Sequence, residues 1–448
     1  MANLPVVVVG AGPEGLASAA HLLERGLEPL VLESGNAAGA SVQQWAHVRT
    51  FSPWSELVDP TAARLLSASG WTRPEEGYPT GGEWVDAYLT PLAAALGDRV
   101  RYATRVTGLS RRGRDRLVSD GRAEQPFTVH VLSAHGEARL AARAVIDASG
   151  TWTGPSPAGA DGLLALGERA AASTGVLTYV PPTPEQTAAF AGRQVVVVGS
   201  GHSAMTAIID LAELARTSPG TRLTWVLRRG VADGTFGGGA ADELPQRGAL
   251  GVRSKQAVTD GLVDLVTGFR VESVEQDDRG VVLVAEDGRT LAPADHVVVL
   301  TGFRPDLSFL SEMRLDLDPV LQAPRLLAVE IDPNLHSCGS VSPHGAAELA
   351  QPEPGLYLVG MKSYGRAPTF LAMTGYEQVR SVAAELAGDH EAAARVELVL
   401  PDTGVCGGAG LFDDPAAASS GGCCGPAVAG GQASEPQLVS IGSLLTRP

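Results

Sequence analysis

The sequence predicts an α/β protein that builds one unit twice and ends in a tail of different composition. Three observations predict it. Val6–Val9 is a run of four valines that leads into Gly10, Gly12 and Gly15 at GxGxxG spacing. A second valine strand, Gln194 to Gly199, leads into Gly199-Ser200-Gly201-His202-Ser203-Ala204. Each unit then passes through short alternating segments and closes on a strand ending in small residues, Ala148-Ser149-Gly150 in one and Thr301-Gly302 in the other. An internal duplication of this kind is hard to produce by chance.

In the first unit the valine run has the uniform apolarity of a parallel strand buried on both faces. The first glycine allows a tight turn, the second lets backbone approach a pyrophosphate, and the third lets helix pack close to strand. Ala17 to Arg25 is a good helix former, whose N-terminus offers N–H groups and a positive dipole end to phosphates. Pro29 to Leu32 reads as the next strand and ends on Glu33, placed to accept hydrogen bonds from a ribose diol. A lone GxGxxG is a weak signal, but strand, glycines, helix, strand and terminal acid together mark a dinucleotide site. The long small-residue loop from Ser34 to Trp54 has the character of a functional loop. Pro60 to Gly70 and Trp84 to Leu96 read as helices. Val100 to Thr107 and Phe127 to Leu132 read as strands of a meander, with a charged, mobile loop Arg111 to Arg122 between them. Ala144 to Gly150 closes the unit.

In the second unit the helix runs to about Arg216, and the next strand, Thr221 to Leu227, ends on Arg228 and Arg229 where the first unit has Glu33. Ala204 replaces the third glycine, which the motif tolerates. The arginine pair supplies positive charge for a 2′-phosphate and favours NADPH over NADH; the alternative is a solvated strand end. Val231 to Gly251 is a flexible glycine-rich loop, a lid or merely a connection. A meander is expected over Val263 to Leu291, and a closing strand over His296 to Leu300. Gly355 to Gly360 reads as a strand, Lys362 to Phe370 as a loop, and Leu371 to Leu386 as a helix returning to the first unit. The fold class is therefore α/β with two Rossmann-like dinucleotide-binding domains, residues 1–155 with 301–400 and residues 156–300, each with an antiparallel strand insertion. Beyond Pro401 the composition turns to Gly, Ala, Ser and Pro, so residues 401–448 are expected to form a flexible tail.

A formal charge of −16 argues against nucleic-acid binding through a broad basic surface. No apolar run approaches the roughly 20 residues that cross a bilayer. The amino terminus enters a strand at once, without a basic region and cleavage site, so a cytoplasmic location is expected. Of the four cysteines, Cys406, Cys423 and Cys424 lie in the tail, with Cys338 apart, which is no disulfide framework.

With Glu33 in one unit and arginines in the other, the chain resembles the two-domain FAD and NADPH flavoproteins, and within them the flavin-containing monooxygenases. Gly10, Gly12, Gly15 and Glu33 match the FAD fingerprint, and Ala148-Ser149-Gly150 and Leu300-Thr301-Gly302-Phe303 match the two turns that link the domains. Two features depart from that family. Leu177 to Pro184 stands where the identifying aromatic, glycine and histidine motif belongs, and Gly360-Met361 replaces a glycine-aspartate near the last flavin contact. No CxxC occurs, so a thioredoxin-reductase dithiol mechanism has no residues to run on. His336 to Gly345, Lys362 to Phe370, Thr374 to Ser381 and the cysteine tail are similar to a flavoprotein group of bacterial arsenic-resistance clusters.

The resemblance implies that NADPH reduces a bound FAD, which then reacts with oxygen to oxidise a small soft nucleophile, here a trivalent arsenical. The alternatives are an N- or S-oxygenating enzyme unrelated to arsenic, and a metalloid-binding sensor or carrier. The candidate cofactor residues are Gly10, Gly12, Pro13, Glu14, Gly15, Glu33, Ser34, Gln44, Trp45, Val106, Ser149, Gly150, Gly199, Gly201, His202, Ser203, Ala204, Arg228, Arg229, Gly302, Gly360 and Met361. Ser52 and Trp54, in a loop expected at the flavin ring, and Cys338 are the candidate catalytic residues. Trp54 is equally a packed loop aromatic. His336 and His344 flank Cys338 at a spacing uncommon for zinc, so a folded loop near the flavin is favoured over a metal site. Cys406, Cys423 and Cys424 are soft ligands suited to trivalent arsenic. The expected partners are a small-molecule substrate and oxygen, with no nucleic acid or membrane, in a monomer or homodimer.

Overall fold

Alternate valines of the opening strand go to opposite cores, which explains why all four are apolar. Val6 and Val8 pack with the helices, while Val7 and Val9 pack against an antiparallel sheet. The computed structural model describes residues 4–398 apart from 231–232, 238, 240–241, 243, 334–341 and 368–369.

In chain order, β1 (Val6–Val9), β2 (Pro29–Leu32) and β3 (Val100–Arg101) are followed by β4 (Arg105–Arg111), β5 (Phe127–Ser133) and β6 (Gly136–Ala142), then β7 (Ala144–Asp147). The second unit contains β8 (Leu177–Thr178), β9 (Gln194–Val198), β10 (Arg222–Val226), β11 (Asp264–Val266), β12 (Val271–Asp277), β13 (Gly280–Ala285) and β14 (His296–Val299); β15 (Leu356–Leu358) comes last. One parallel sheet has the order β15-β7-β1-β2-β3 and the other β11-β10-β9-β14-β8. β9 therefore stands in the second sheet where β1 stands in the first. β4-β5-β6 and β12-β13 are the antiparallel insertions. In the second sheet Val196 and Val198 meet the β12-β13 hairpin, and Val195 and Val197 meet the helix His202–Thr217.

Several expectations are corrected. The first helix begins at Pro13, not Ala17, because proline at its first turn is preorganised although Pro-Glu-Gly carries no helical pattern. Val100 to Thr107 is two strands in two different sheets. Ala103 takes a left-handed φ of 46° between them, and its N–H and that of Thr104 bond Gly35 and Glu33 carbonyls instead of continuing a ladder. The second predicted helix begins at Gly81, under a Thr80–Glu83 capping box, and passes through a π-helical turn at Val85–Leu89 before Thr90–Leu96. Of the expected meander over Val263 to Leu291, β11 instead joins the parallel sheet beside β10, leaving a two-stranded hairpin. The glycine-rich stretch Val231 to Gly251 is not loop throughout, since a helix Pro245–Thr259 takes in its last residues. Gly251 lets it pack closely: a methyl there would lie 1.6 Å from the Phe236 carbonyl.

The charged loop Arg111 to Arg122 is not a free one. Arg111 and Arg122 are both buried on Glu353, itself 1% exposed, at 3.1 Å and 2.6 Å. Arg111 also lies over the Phe127 ring at 3.7 Å. The loop is thus pinned at both ends by an acid from just before β15.

Candidate functional site

Both glycine turns combine tight backbone packing with one glycine left open. Gly10 has φ of 100°, and a methyl there would lie 2.9 Å from the Ala148 carbonyl. At Gly15 a methyl would lie 2.0 Å from the Gly10 carbonyl, so the turn and its helix cannot separate. At Gly12, by contrast, nothing lies within 4 Å, and the helix Pro13–Glu24 has no side-chain cap. The second turn repeats this arrangement. Gly199 has φ of 133° and a methyl there would lie 2.2 Å from the Leu300 carbonyl, while Gly201 is open and the helix His202–Thr217 is uncapped. Open space before uncapped N–H groups fits a pyrophosphate. Ala204 is fully buried and packs in the core beneath, so its methyl fills space that a third glycine would leave empty. Ser203 follows His202 on the exposed side of the turn.

Glu33 is 8% exposed and does more than the sequence foretold. One oxygen accepts from Ala11 N–H at 2.7 Å and the other from Gly35 N–H at 2.6 Å, with Ser34 Oγ at 3.4 Å. A carboxylate has about four acceptor positions, so it fixes the glycine turn and keeps capacity for a diol. Trp225 Nε1 donates to the Gly199 carbonyl at 2.7 Å and supports the second turn from its own sheet. Arg228 is exposed and donates to the Ala160 carbonyl at 3.1 Å, and Arg229 adjoins it at the same strand end.

The two units meet where their chain crossings run side by side. Ser156 N–H donates to Gly302 and Arg304 N–H to Gly154, at 2.8 Å and 2.7 Å. Trp152 stacks on Phe303 at 4.6 Å and donates to Gln44 Oε1 at 2.8 Å. Gly150 and Gly302 take φ of 66° and 97°, which favour glycine at these turns. The loop from Arg49 to Trp54 also bridges the units, since Phe51 packs on His202 at 5.2 Å. Burial pushes the His202 imidazole below its usual pKa, with Arg247 adding to this and Asp242 opposing it. His202 makes no cap bond at the turn.

Ser52 and Trp54 are 7% and 8% exposed, and Trp54 is packed in the core with Leu57, Tyr88 and Tyr376. Trp45 lies against Gly81, where a methyl would come within 2.7 Å of its ring. Val106 faces Val131 across the β4-β5 ladder. Gly360 has φ of 65° and its N–H donates to Gln378 Oε1 at 2.7 Å; Met361 follows in the same turn. Cys338, His336, Cys406, Cys423 and Cys424 lie outside the described residues. Among the described residues no group of three His, Cys, Asp or Glu side chains could hold a metal.

Sequence reasoning missed one buried cluster at this site. Lys362, 1% exposed, donates to Ser149 Oγ at 2.9 Å and to the Asp306 carbonyl at 2.6 Å, and lies 3.4 Å from Asp147. Asp147 is fully buried and accepts from both Ser149 N–H and Oγ. The signal was an aspartate closing an otherwise apolar strand, a residue that stays buried only when paired.

Gly15→Ala is expected to cost about 1–3 kcal/mol or more, because its methyl meets backbone that cannot yield. Gly12→Ala is expected to leave thermal stability near that of the parent. Equal melting temperatures for the two variants would contradict this geometry.

A family model described as pyridine nucleotide-disulphide oxidoreductase matches residues 7–324. Ferredoxin–NADP reductase of Salinispora arenicola is 30% identical over 320 residues, covering 71% of this chain and 80% of the relative. Indole-3-pyruvate monooxygenase YUCCA1 of Oryza sativa subsp. japonica is 30% identical over 207 residues, 46% of this chain and 44% of the relative. Among solved structures, bacillithiol disulfide reductase from Bacillus cereus superimposes with a TM-score of 0.63 at 20% identity, covering 86% of this chain and 99% of that one. The flavin-containing monooxygenase from Stenotrophomonas maltophilia gives 0.53 at 23% identity, covering 88% and 100%. These two structural likenesses are likenesses of fold.

Proposed function

The chain belongs to the pyridine nucleotide-disulphide oxidoreductase family, and we propose that it is a monooxygenase acting on a small soft nucleophile such as a trivalent arsenical. It is an FAD- and NADPH-dependent oxidoreductase. The observation that carries the cofactor assignment is the pair of open glycine cradles, one closed by Glu33 and the other followed by a strand that runs into Arg228 and Arg229. In this reading residues 1–155 and 301–400 hold FAD, and residues 156–300 hold NADPH. FAD supplies the electron chemistry between NADPH and the acceptor. The chain's own part is to hold and shield. Gly10, Gly12 and Gly15 seat the first pyrophosphate, Glu33 orients the turn, and Gly199, Gly201 and Ser203 seat the second. Phe51 against His202 and Trp152 against Phe303 close the seam between the units.

The arsenical substrate rests on the resemblance of residues 336–345, 362–370 and 374–381 to the arsenic-cluster flavoproteins and on three soft thiols, Cys406, Cys423 and Cys424. NADPH oxidation and oxygen uptake by the purified yellow protein test it. Coupled consumption stimulated by a trivalent arsenical, with a pentavalent product, is the expected result. Stimulation by amines or thioethers instead moves the substrate to nitrogen or sulfur. Tight arsenic binding that is lost in Cys423→Ser and Cys424→Ser, without stimulated consumption, makes the protein a carrier or sensor.

A second reading is favoured by coverage. The ferredoxin–NADP reductase spans far more of this chain than the plant monooxygenase does. An NADPH-driven reductase passing electrons to an external acceptor predicts rapid acceptor reduction with little oxygen uptake.

For either reading, replacing both Arg228 and Arg229 by alanine is expected to raise the KM for NADPH by roughly tenfold to a hundredfold, since a charge-assisted bond is worth about 1.5–3 kcal/mol. The KM for NADH should hardly move. Equal effects on both nucleotides would remove the arginines from the 2′-phosphate.

A further inference from the structure

Among the described residues, Glu14 is the acid of the first cradle whose carboxyl bonds to no other residue. It is the second residue of the helix Pro13–Glu24, and its side chain runs toward Gly360 and Gly375. A methyl at Gly360 would lie 2.9 Å from its Cγ, and a methyl at Gly375 would lie 2.6 Å from Cγ and 3.0 Å from Oε1. Gly375 sits inside the helix Ala372–Ala387, where glycine costs about 1 kcal/mol against alanine. Its conformation requires no positive φ. What the missing methyl provides is room for this carboxyl.

Among the described residues no side chain donates a hydrogen bond to Glu14 or forms an ion pair with it. Glu33, at the end of β2, is held by the N–H groups of Ala11 and Gly35, whereas Glu14 bonds only to its own backbone. The groups around it offer no charge to offset its own. Tyr376 and Tyr88 are buried phenols pushed well above their usual pKa by burial, Asp59 is a further acid, and Phe370 is neutral. Lys362, behind Gly360, is committed to Ser149, Asp306 and Asp147. His344 reaches Gly360 only through Gln378, and burial pushes its imidazole down. Burial raises the Glu14 carboxyl to about 7, against a weaker opposing bond to its own backbone.

We propose that Glu14 works as a neutral carboxyl, donating its O–H to the dinucleotide of the first cradle, and that its ionisation loosens that cofactor. This rests on the FAD assignment above. A protonated carboxyl needs an acceptor, and a bound dinucleotide can supply one. A dinucleotide seated on Gly12 brings phosphate and hydroxyl oxygens to the adjacent turn. An ionised Glu14 would instead set like charge against pyrophosphate in a partly dehydrated site. The sign follows: the form that binds carries one more proton, so affinity is constant below the pKa of the free protein and falls above it.

The test is FAD affinity, read by recovery of flavin fluorescence on release, between about pH 6 and about pH 9. Wild type is expected to weaken roughly tenfold per pH unit above about 7, the slope of one proton. Glu14→Gln keeps a neutral donor and should bind with no such slope. Gly375→Ala, which crowds the carboxyl, should bind more weakly at both ends of the range. The carboxyl ¹³C shift of Glu14 in protein stripped of flavin gives a readout independent of catalysis and should titrate near neutrality. A pH-flat wild type, or a slope that survives in Glu14→Gln, overturns the proposal alone. No FAD binding by any variant overturns the cofactor assignment and the proposal with it.

Discussion

Glu353→Ala is expected to destabilise the protein by about 3–5 kcal/mol, the cost of leaving buried charge without its partner. Two guanidinium groups would lose it at once. Arg111 and Arg122, 2% and 4% exposed, both close on this one carboxylate, and Arg314 N–H donates to it as well. Burial by itself would raise the Glu353 pKa, but the bonds from Arg122 and Arg111 outweigh it and hold the carboxyl below its usual value. A depressed carboxyl stabilises the fold above the ordinary carboxylate range and loses that contribution as pH falls through its folded pKa. The gap in unfolding free energy between parent and variant should therefore be full at neutral pH and shrink in acid. A chemical-denaturation series against pH measures it. A constant gap, or one under about 1 kcal/mol at neutral pH, would mean that the pair is solvated as a surface bridge is.

Lys362→Met is the second large effect, also about 3–5 kcal/mol, because it strips the ammonium from the fully buried Asp147. Methionine has similar length and no donors, so Ser149 Oγ and the Asp306 carbonyl also lose a bond. These groups belong to the two crossings between the units, and flavin retention should fall along with melting temperature. The paired change Lys362→Met with Asp147→Asn is expected to recover most of the stability, since no buried charge then remains. If the double variant is no better than the single one, the ammonium acts chiefly through Ser149 and Asp306.

The fold was legible where local pattern and final packing agree. Val6–Val9 and Gln194–Val198 are apolar on both faces because each strand is covered on both faces, and that pattern survives in one dimension. Gly10 and Gly199 were legible because their turns demand φ of 100° and 133°. The break at Ala103 left no trace, since alanine does not advertise a left-handed conformation and the alternation of Val100 to Thr107 runs across it. The ionic clusters were illegible for a different reason. Arg111 and Glu353 stand 242 residues apart, and no periodicity connects them. At the candidate site, Glu33 and the glycines could be read from spacing. The support of the Gly199 turn by Trp225, and the closeness of Glu14 to Gly375, arise only when separate elements are brought together.

The outer place beside β7 is taken by β15, with Leu356 paired to Val145, so the first sheet cannot finish until residues 356–358 have left the ribosome. The second sheet draws its strands from residues 177–299 and has no such wait. During synthesis β7 would stand as an unpaired apolar border, open to pairing with another nascent chain. A chain released before residue 356 should accordingly aggregate, while its second sheet already holds all of its strands.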